Sequence, residues 1–240
     1  MMDRRAELAA NLERVEERIA GACARAGRKR EEVTLIVVTK THPASDVRLL
    51  AELGVRHVAE NKDQDAGPKA AECADLGLSW HFVGQLQTNK ARSVVRYADV
   101  VQSVDRARLV DSLAAAAVKE GREIGALVQI ALDAEAGAER GARGGLAPDR
   151  LPELAAAIEA AEGLRLDGLM TVAPLAGPYA GREQAAFERL MELSSSLRAA
   201  HPAATMVSAG MSADLEHAVA AGATHVRVGT AVLGARPRLG

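Results

Sequence analysis

Aromatic residues are scarce in this sequence: its 240 residues include one Trp, two Tyr and two Phe. So few rings leave little surface for base stacking. The net charge of −2 gives no basic footprint for nucleic acid or an anionic membrane. We therefore expect neither partner. Hydrophobic residues still make up 48% of the chain, enough to build a sizeable core from Ala, Val, Leu and Ile.

Signals for membrane insertion, disulfides and metals are also missing. No segment of 18 apolar residues occurs, and the amino terminus carries charges where a signal peptide would be apolar. We predict a cytoplasmic protein. The two cysteines, Cys23 and Cys73, have neither metal-ligand spacing nor an oxidising context. The six histidines form no HxH or HExxH pair, so no metal site is predicted.

Eight short apolar runs alternate with helical or loop segments along the chain. The first begins at Thr34, and the others cover 56–60, 79–84, 99–104, 124–132, 166–172, 205–208 and 224–229. This alternation predicts right-handed parallel βαβ units, and eight of them in 240 residues indicate one closed (β/α)8 TIM barrel. An open doubly wound sheet is the alternative. We assign 1–240 to a single domain that opens with an amphipathic helix over 3–26.

The helix after the second strand is less regular, because Gly67 and Pro68 interrupt its pattern. Proline inside a helix costs about 3 kcal/mol, whereas at the first helical position its missing N–H costs nothing. The sequence therefore predicts that this helix begins at Pro68.

The stretch from Thr34 to Pro43, TLIVVTKTHP, is a continuous apolar run that ends in Lys40. Apolar residues on both faces are typical of a buried parallel strand, and functional residues of such folds gather at the carboxyl ends of the strands. One interpretation is a surface lysine whose charge reaches water at the sheet rim. The other is a partly desolvated lysine whose neutral amine forms a Schiff base with a carbonyl compound.

Two glycine-containing turns follow the seventh and eighth predicted strands. They are Ser208-Ala-Gly-Met-Ser212 and Gly229-Thr230, and each opens a helix. A single glycine at such a turn is explained by backbone freedom alone. Barrels, however, frequently bind phosphate between the loops after strands seven and eight, where a short helix contributes its amino terminus. The two turns together predict a ligand that carries a phosphate.

Arg227 lies two residues before Gly229, in phase with that turn on the eighth strand. It could form an ion pair with a carboxylate on a neighbouring element. If it instead meets a ring nitrogen of the ligand, that nitrogen stays unprotonated, because arginine keeps its proton at working pH. Such a ring is a weak electron sink. A Schiff-base lysine and a phosphate site on one barrel suit pyridoxal 5′-phosphate (PLP).

Several motifs are specific enough to carry a family resemblance. They are VVTKTHP, HVAENKDQDA, WHFVGQLQTNK, VQSVD, GLMTVAP and SAGMSADLEHAVAAGATHVRVGTAVLGAR. Over nearly its full length the chain resembles the pyridoxal phosphate homeostasis proteins, the YggS/PROSC-like family. The resemblance implies a single (β/α)8 barrel of the alanine racemase N-terminal-domain type that takes part in PLP homeostasis.

The resemblance also implies which residues bind the cofactor. Lys40 would form a reversible Schiff base with PLP, Arg227 would face the pyridine nitrogen, and Asn61 and Met170 would line the ring pocket. The residues expected to hold the phosphate are Ser208, Gly210, Met211, Ser212, Gly229 and Thr230. His81, Gln87 and Asn89 fall in a further family motif near the pocket.

No catalytic residue is assigned. The related racemases use a tyrosine from a separate carboxyl-terminal domain, and neither Tyr97 nor Tyr179 has an evident place on the substrate face. We therefore predict a non-catalytic PLP carrier, monomeric, with PLP-accepting proteins as transient partners.

Two other classes of function are open at this point. A Schiff-base aldolase or a phosphate-binding isomerase would share the lysine and the phosphate site, with Glu60 and His81 as candidate acid/base residues. A pure interaction protein is disfavoured, because a scaffold has no need of a lysine and two anion-binding turns at one end of a barrel.

Overall fold

The structure is a computed structural model that describes residues 3–134 and 144–234. The predicted domain range 1–240 therefore includes three short segments that lie outside the described residues. The helices are α1 (Arg4–Arg25), α2 (Ala44–Glu52), α3 (Asp63–Glu72), α4 (Ala91–Val95), α5 (Ala107–Glu120), α6 (Leu151–Glu159), α7 (Glu183–Ala200), α8 (Leu215–Ala221) and α9 (Thr230–Leu233). The strands are β1 (Thr34–Val38), β2 (His57–Glu60), β3 (Ser79–Phe82), β4 (Val100–Val104), β5 (Ile124–Gln129), β6 (Leu164–Met170), β7 (Met206–Ser208) and β8 (His225–Val228).

The eight strands form a closed barrel in sequence order. Every neighbouring pair is parallel, and β1 closes the barrel against β8 with Thr34 opposite His225 and Val37 opposite Val228. The predicted (β/α)8 barrel is therefore confirmed, and the open sheet is excluded. Each predicted apolar run overlaps one of these strands, and seven of the eight runs contain the whole strand; β6 begins at Leu164, two residues before its run.

Side chains alternate along each strand, so some pack outside the barrel against the helices and others point into the barrel. Val37, Val58 and Val226 point outward and pack in one apolar cluster with residues of α1 and α2. Val100, Leu127 and Met170, from β4, β5 and β6, form a small cluster that is separate from this outer packing. The remaining inward positions include several polar side chains, so the inside of the barrel is only partly apolar.

Helix α1 lies within the predicted range 3–26 and forms hydrogen bonds with the region of α8 and α9. Its Arg18 donates to the Glu216 carboxylate (2.7 Å) and to the Ser212 carbonyl (3.0 Å). Asn11 donates to the Val232 carbonyl (2.8 Å). Because α8 and α9 follow the two predicted phosphate turns, α1 fixes their position from outside the barrel.

The prediction that α3 begins at Pro68 is wrong. The helix begins at Asp63 and contains Pro68 as its sixth residue. Proline removes one hydrogen bond here, to the carbonyl of Gln64, and both residues are exposed, so water can replace the lost donor. Gly67 precedes Pro68 and has no Cβ for the proline ring to clash with.

Among the described residues, no helix is both long and apolar enough to cross a membrane.

Candidate functional site

The predicted cofactor residues all lie toward the carboxyl end of the barrel. Lys40 follows β1, Asn61 follows β2, Met170 ends β6, Ser208 ends β7, Gly210, Met211 and Ser212 follow β7, Arg227 lies in β8, and Gly229 and Thr230 follow β8. Parallel strands bring these ends to one face. Since β1 is paired with β8, the loop that carries Lys40 lies beside the Gly229 turn.

Several hydrogen bonds hold Thr39, the residue before Lys40. Thr39 donates its N–H to the Ala59 carbonyl (2.9 Å) and its hydroxyl to Glu60 Oε1 (2.8 Å). The Thr39 carbonyl accepts from Lys69 Nζ at 2.9 Å. The chain then turns at Thr41, which has φ +69°. Lys40, which is partly exposed, therefore leaves the barrel from a tightly fixed strand end.

Glu60 and Lys69 form a buried ion pair beneath this turn. Glu60 is fully buried, Lys69 is 7% exposed, and Lys69 Nζ donates to Glu60 Oε1. Glu60 Oε2 has no hydrogen-bond partner among the described residues. The sequence offered Glu60 as an acid/base residue. In the structure its carboxylate instead accepts hydrogen bonds from Lys69 and from the Thr39 hydroxyl. Sequence reasoning missed this role.

Arg227 is a buried cation on the inner face of β8. It is 3% exposed, donates from Nη1 to Ser208 Oγ (2.7 Å), and donates from Nη2 to the Thr171 carbonyl (2.7 Å). Burial lowers the pKa of Arg227 to about 10, so the guanidinium still carries its proton at neutral pH. Among the described residues no carboxylate hydrogen-bonds to it.

The two predicted phosphate turns are joined to each other and to β8. Ala231 N–H donates to Ser212 Oγ (3.4 Å), and Arg227 N–H donates to the Gly210 carbonyl (2.9 Å). The backbone N–H of Met211 donates to Asp214 Oδ1 at 2.6 Å. The structure thus brings the two turns into contact.

The glycines of both turns are closely packed, and Gly210 is required for steric reasons. Gly210 has φ +87°, and a Cβ there would lie 2.6 Å from Ala218 Cβ. A Cβ on Gly229 would lie 3.2 Å from the Val38 carbonyl oxygen, on the strand that leads to Lys40. The backbone at both positions is therefore close to its neighbours in a way that other residues would disturb.

The Ser208 side chain lies deeper than the other predicted phosphate residues. It is fully buried, and its hydroxyl accepts from Arg227 and donates to Gln102 Oε1 at 2.7 Å. Its assignment to the phosphate stays a prediction. The structure adds a second role, which is to hold Arg227.

The remaining predicted residues are dispersed. Met170 is buried and lies opposite Ser208 in the sheet register. Asn61 is partly exposed on the loop after β2. Gln87 and Asn89 are exposed on the loop after β3.

His81 is not in an open pocket. It is 1% exposed, and its Nδ1 lies 3.0 Å from Gln102 Nε2. Burial lowers the pKa of His81 to about 3, so the imidazole is neutral at pH 7. Gln102 was missed as a functional candidate, although a polar residue between valines in the motif VQSVD could have indicated it.

Comparison of the sequence with known proteins finds matches over nearly the whole chain. Residues 6–237 match the family model described as alanine racemase, N-terminal domain. The pyridoxal phosphate homeostasis protein of Mycobacterium tuberculosis is 41% identical over 253 residues, covering 98% of this chain and 95% of that protein.

Solved structures show the same architecture. PipY of Synechococcus elongatus, solved with PLP bound, is 36% identical with a TM-score of 0.74, covering 92% of this chain and all of PipY. Alanine racemase from Corynebacterium glutamicum is 16% identical with a TM-score of 0.64, and 62% of that longer chain is covered. The racemase therefore shares the fold alone.

Proposed function

Because this chain belongs to the alanine racemase N-terminal domain family, with pyridoxal phosphate homeostasis proteins among its relatives, we propose that it binds PLP and serves PLP homeostasis. Lys40 is the Schiff-base lysine in this proposal, and the turns after β7 and β8 hold the phosphate. The solved structure of PipY with PLP bound, 36% identical to this chain, supports this proposal.

The observation that carries the proposal is the junction of β1 and β8. Ile36 lies opposite Arg227 in the register, and Gly229 lies against Val38. One strand thus ends in the lysine, and its neighbour carries a buried cation followed by a glycine turn. A carbonyl group, a ring nitrogen and a phosphate on one ligand match these three features.

The residues present fit the cofactor. Gly210 and Gly229 let the backbone of the two predicted phosphate turns pack closely against neighbouring residues, and α9 begins directly after the second turn. PLP would supply a reactive aldehyde and an aromatic ring. The chain would supply an amine from Lys40, a guanidinium from Arg227 and backbone N–H groups from the turns.

The carrier role follows from the residue that would face the ring nitrogen. Arg227 keeps its proton at neutral pH, so it would donate to the pyridine nitrogen and leave that nitrogen without a proton. A ring in this state withdraws electrons weakly and supports amino-acid chemistry poorly. We therefore expect binding and release of PLP with little turnover. Transient PLP-accepting partners, a monomeric state and a cytoplasmic location stay predictions.

The two acid/base residues predicted for the aldolase alternative are both buried and engaged with other side chains. His81 is neutral and buried among other side chains, and Glu60 is bound to Lys69 and Thr39. Neither side chain is exposed toward the face that carries Lys40. The structure thus favours the carrier over the aldolase.

A visible absorption titration with PLP tests the proposal. Wild type and Lys40→Ala are compared with Lys62→Ala, which removes an exposed lysine from the loop after β2. Wild type and Lys62→Ala should develop the absorption band of lysine-bound PLP, and Lys40→Ala should not. A Lys40→Ala protein with the wild-type band and affinity would overturn the assignment.

A further inference from the structure

A chain of hydrogen bonds runs from Arg227 through the inside of the barrel. Arg227 Nη1 lies 2.7 Å from Ser208 Oγ, which lies 2.7 Å from Gln102 Oε1. Gln102 Nε2 lies 3.0 Å from His81 Nδ1, and His81 Nε2 lies 3.2 Å from His57 Nδ1. Four of the five side chains are buried, and His57 is half-buried at the start of β2.

Donor and acceptor chemistry gives this chain one direction. Arg227 has only donors, so Ser208 Oγ accepts from it and gives its own proton to Gln102 Oε1. The Gln102 amide then donates to His81 Nδ1, which places the His81 proton on Nε2, facing His57 Nδ1 and, at 3.5 Å, Ser79 Oγ. The reverse amide orientation would aim two donors at Ser208 Oγ and leave a buried hydroxyl proton without an acceptor.

The direction of these hydrogen bonds matters because Arg227 carries a buried positive charge. In each of these side chains the acceptor atom lies on the side toward Arg227 and the donated proton lies on the far side. The negative ends of four neutral dipoles therefore point toward the buried guanidinium. Asp214 contributes a more distant favourable charge. Oriented dipoles can thus solvate Arg227 where a hydrogen-bonded carboxylate is absent from the described residues.

We propose that Gln102 and His81 are positioning residues for Arg227, holding its guanidinium in place and compensating its charge through Ser208. This proposal rests on the proposed function, in which Arg227 faces the ring nitrogen of PLP. Neutral side chains suit the positioning of Arg227, because a carboxylate next to Arg227 would offset the positive charge that keeps the ring nitrogen unprotonated. Neither Gln102 nor His81 needs to touch the cofactor.

The first test uses ligand-free wild-type protein, so it does not depend on PLP binding. Nitrogen-15 NMR of the histidine side chains distinguishes the two neutral tautomers. We expect His81 to carry its proton on Nε2. A proton on Nδ1 would overturn the direction of the chain, even if PLP binds as proposed. If PLP does not bind, the proposed function fails, but the His81 tautomer still reports the direction of the hydrogen bonds from Arg227 to His57.

The second test measures PLP binding in variants along the chain. Gln102→Met removes both hydrogen bonds of the amide, and we expect roughly 10-fold weaker binding, the upper end of what one lost hydrogen bond between neutral groups contributes. His81→Met acts one step farther from Arg227, so its loss should be smaller, roughly 3-fold. The absorption maximum of bound PLP should shift in the same order.

The matched control is Ser103→Ala. Ser103 is the next residue on β4, is equally buried, and its hydroxyl has no partner among the described residues. This variant should keep the wild-type affinity and absorption maximum. Wild-type values in Gln102→Met, or equal losses in Ser103→Ala, would overturn the proposal. If Gln102→Met does not fold, His81→Met and the tautomer of the wild type decide the question.

Discussion

Lys69 donates to the Glu60 carboxylate and, at 2.9 Å, to the carbonyl of Thr39, the residue before Lys40. One buried ammonium thus connects α3, β2 and the end of β1. Thr39 returns a hydrogen bond to Glu60 from its hydroxyl. The three side chains form a clamp that fixes the backbone from which Lys40 projects.

Removing one partner of this buried pair should be costly. Lys69→Met leaves a fully buried carboxylate without its cation, so we expect the free energy of unfolding to fall by about 3–5 kcal/mol. Glu60→Gln combined with Lys69→Met should cost less, since no uncompensated charge remains. Denaturant unfolding at neutral pH measures both.

Lys90→Met is the control for that comparison. Lys90 lies 3.9 Å from Asp63 and its side chain is 38% exposed, so its loss should cost at most about 1 kcal/mol. Equal losses in Lys69→Met and Lys90→Met would show that the buried clamp has no special weight.

A glycine pair separates backbone strain from crowding at the phosphate turn. Gly210→Ala combines a positive φ with a Cβ 2.6 Å from Ala218 Cβ, whereas Gly54→Ala, with φ +95°, meets no atom within 4 Å. Gly54→Ala should cost about 1 kcal/mol of stability and leave PLP affinity unchanged. Gly210→Ala should cost more stability and weaken PLP binding by at least roughly 10-fold. Wild-type PLP affinity in Gly210→Ala would contradict the phosphate assignment.

Histidines inside the barrel predict a loss of stability in acid. Burial lowers the pKa of His81 from 6.5 to about 3 and that of His225 to about 4. Between these values and pH 6.5 the unfolded chain binds protons that the folded chain does not. The free energy of unfolding should therefore fall as pH falls, by about 1.4 kcal/mol per pH unit for each histidine.

His81→Gln isolates one of these protons. Its unfolding free energy, measured between pH 6.5 and 4, should fall less steeply than that of wild type by about 1.4 kcal/mol per pH unit. Parallel curves for the two proteins would contradict the assignment of His81 as a buried neutral imidazole.

The carrier role predicts slow amino-acid chemistry. Because Arg227 stays protonated beside the predicted ring position, PLP-loaded protein should racemise or transaminate amino acids far more slowly than about 1 per second, the lower end of typical enzymes. Chiral chromatography of alanine after incubation measures racemisation. A rate at or above that value would show that the protein is an enzyme.

The sequence was sufficient to predict the barrel, because each strand is a short apolar run bounded by turn residues. It also placed Lys40 after the first strand and Arg227 and Gly229 on and after the eighth, and the structure shows that these two strands pair. These predictions depend on alternation and order along the chain, and both can be read from residues alone.

Other features depend on contacts between distant segments. The pairing of Glu60 with Lys69 joins β2 to α3 through a tertiary contact. The start of α3 was also missed, since the helix begins at Asp63 whereas the proline rule predicted Pro68. The Gln102 contacts join β3, β4 and β7 across the barrel, and no spacing in the sequence indicates them. His81 was placed near the pocket by its motif, but the inward direction of its side chain became visible only in the folded barrel.

Borohydride reduction followed by peptide mass mapping tests the central claim most directly. Purified protein is incubated with PLP, reduced to fix any Schiff base, and digested. We predict one dominant PLP adduct, on the peptide that contains Lys40. A dominant adduct on another lysine, or no adduct at saturating PLP, would contradict the account.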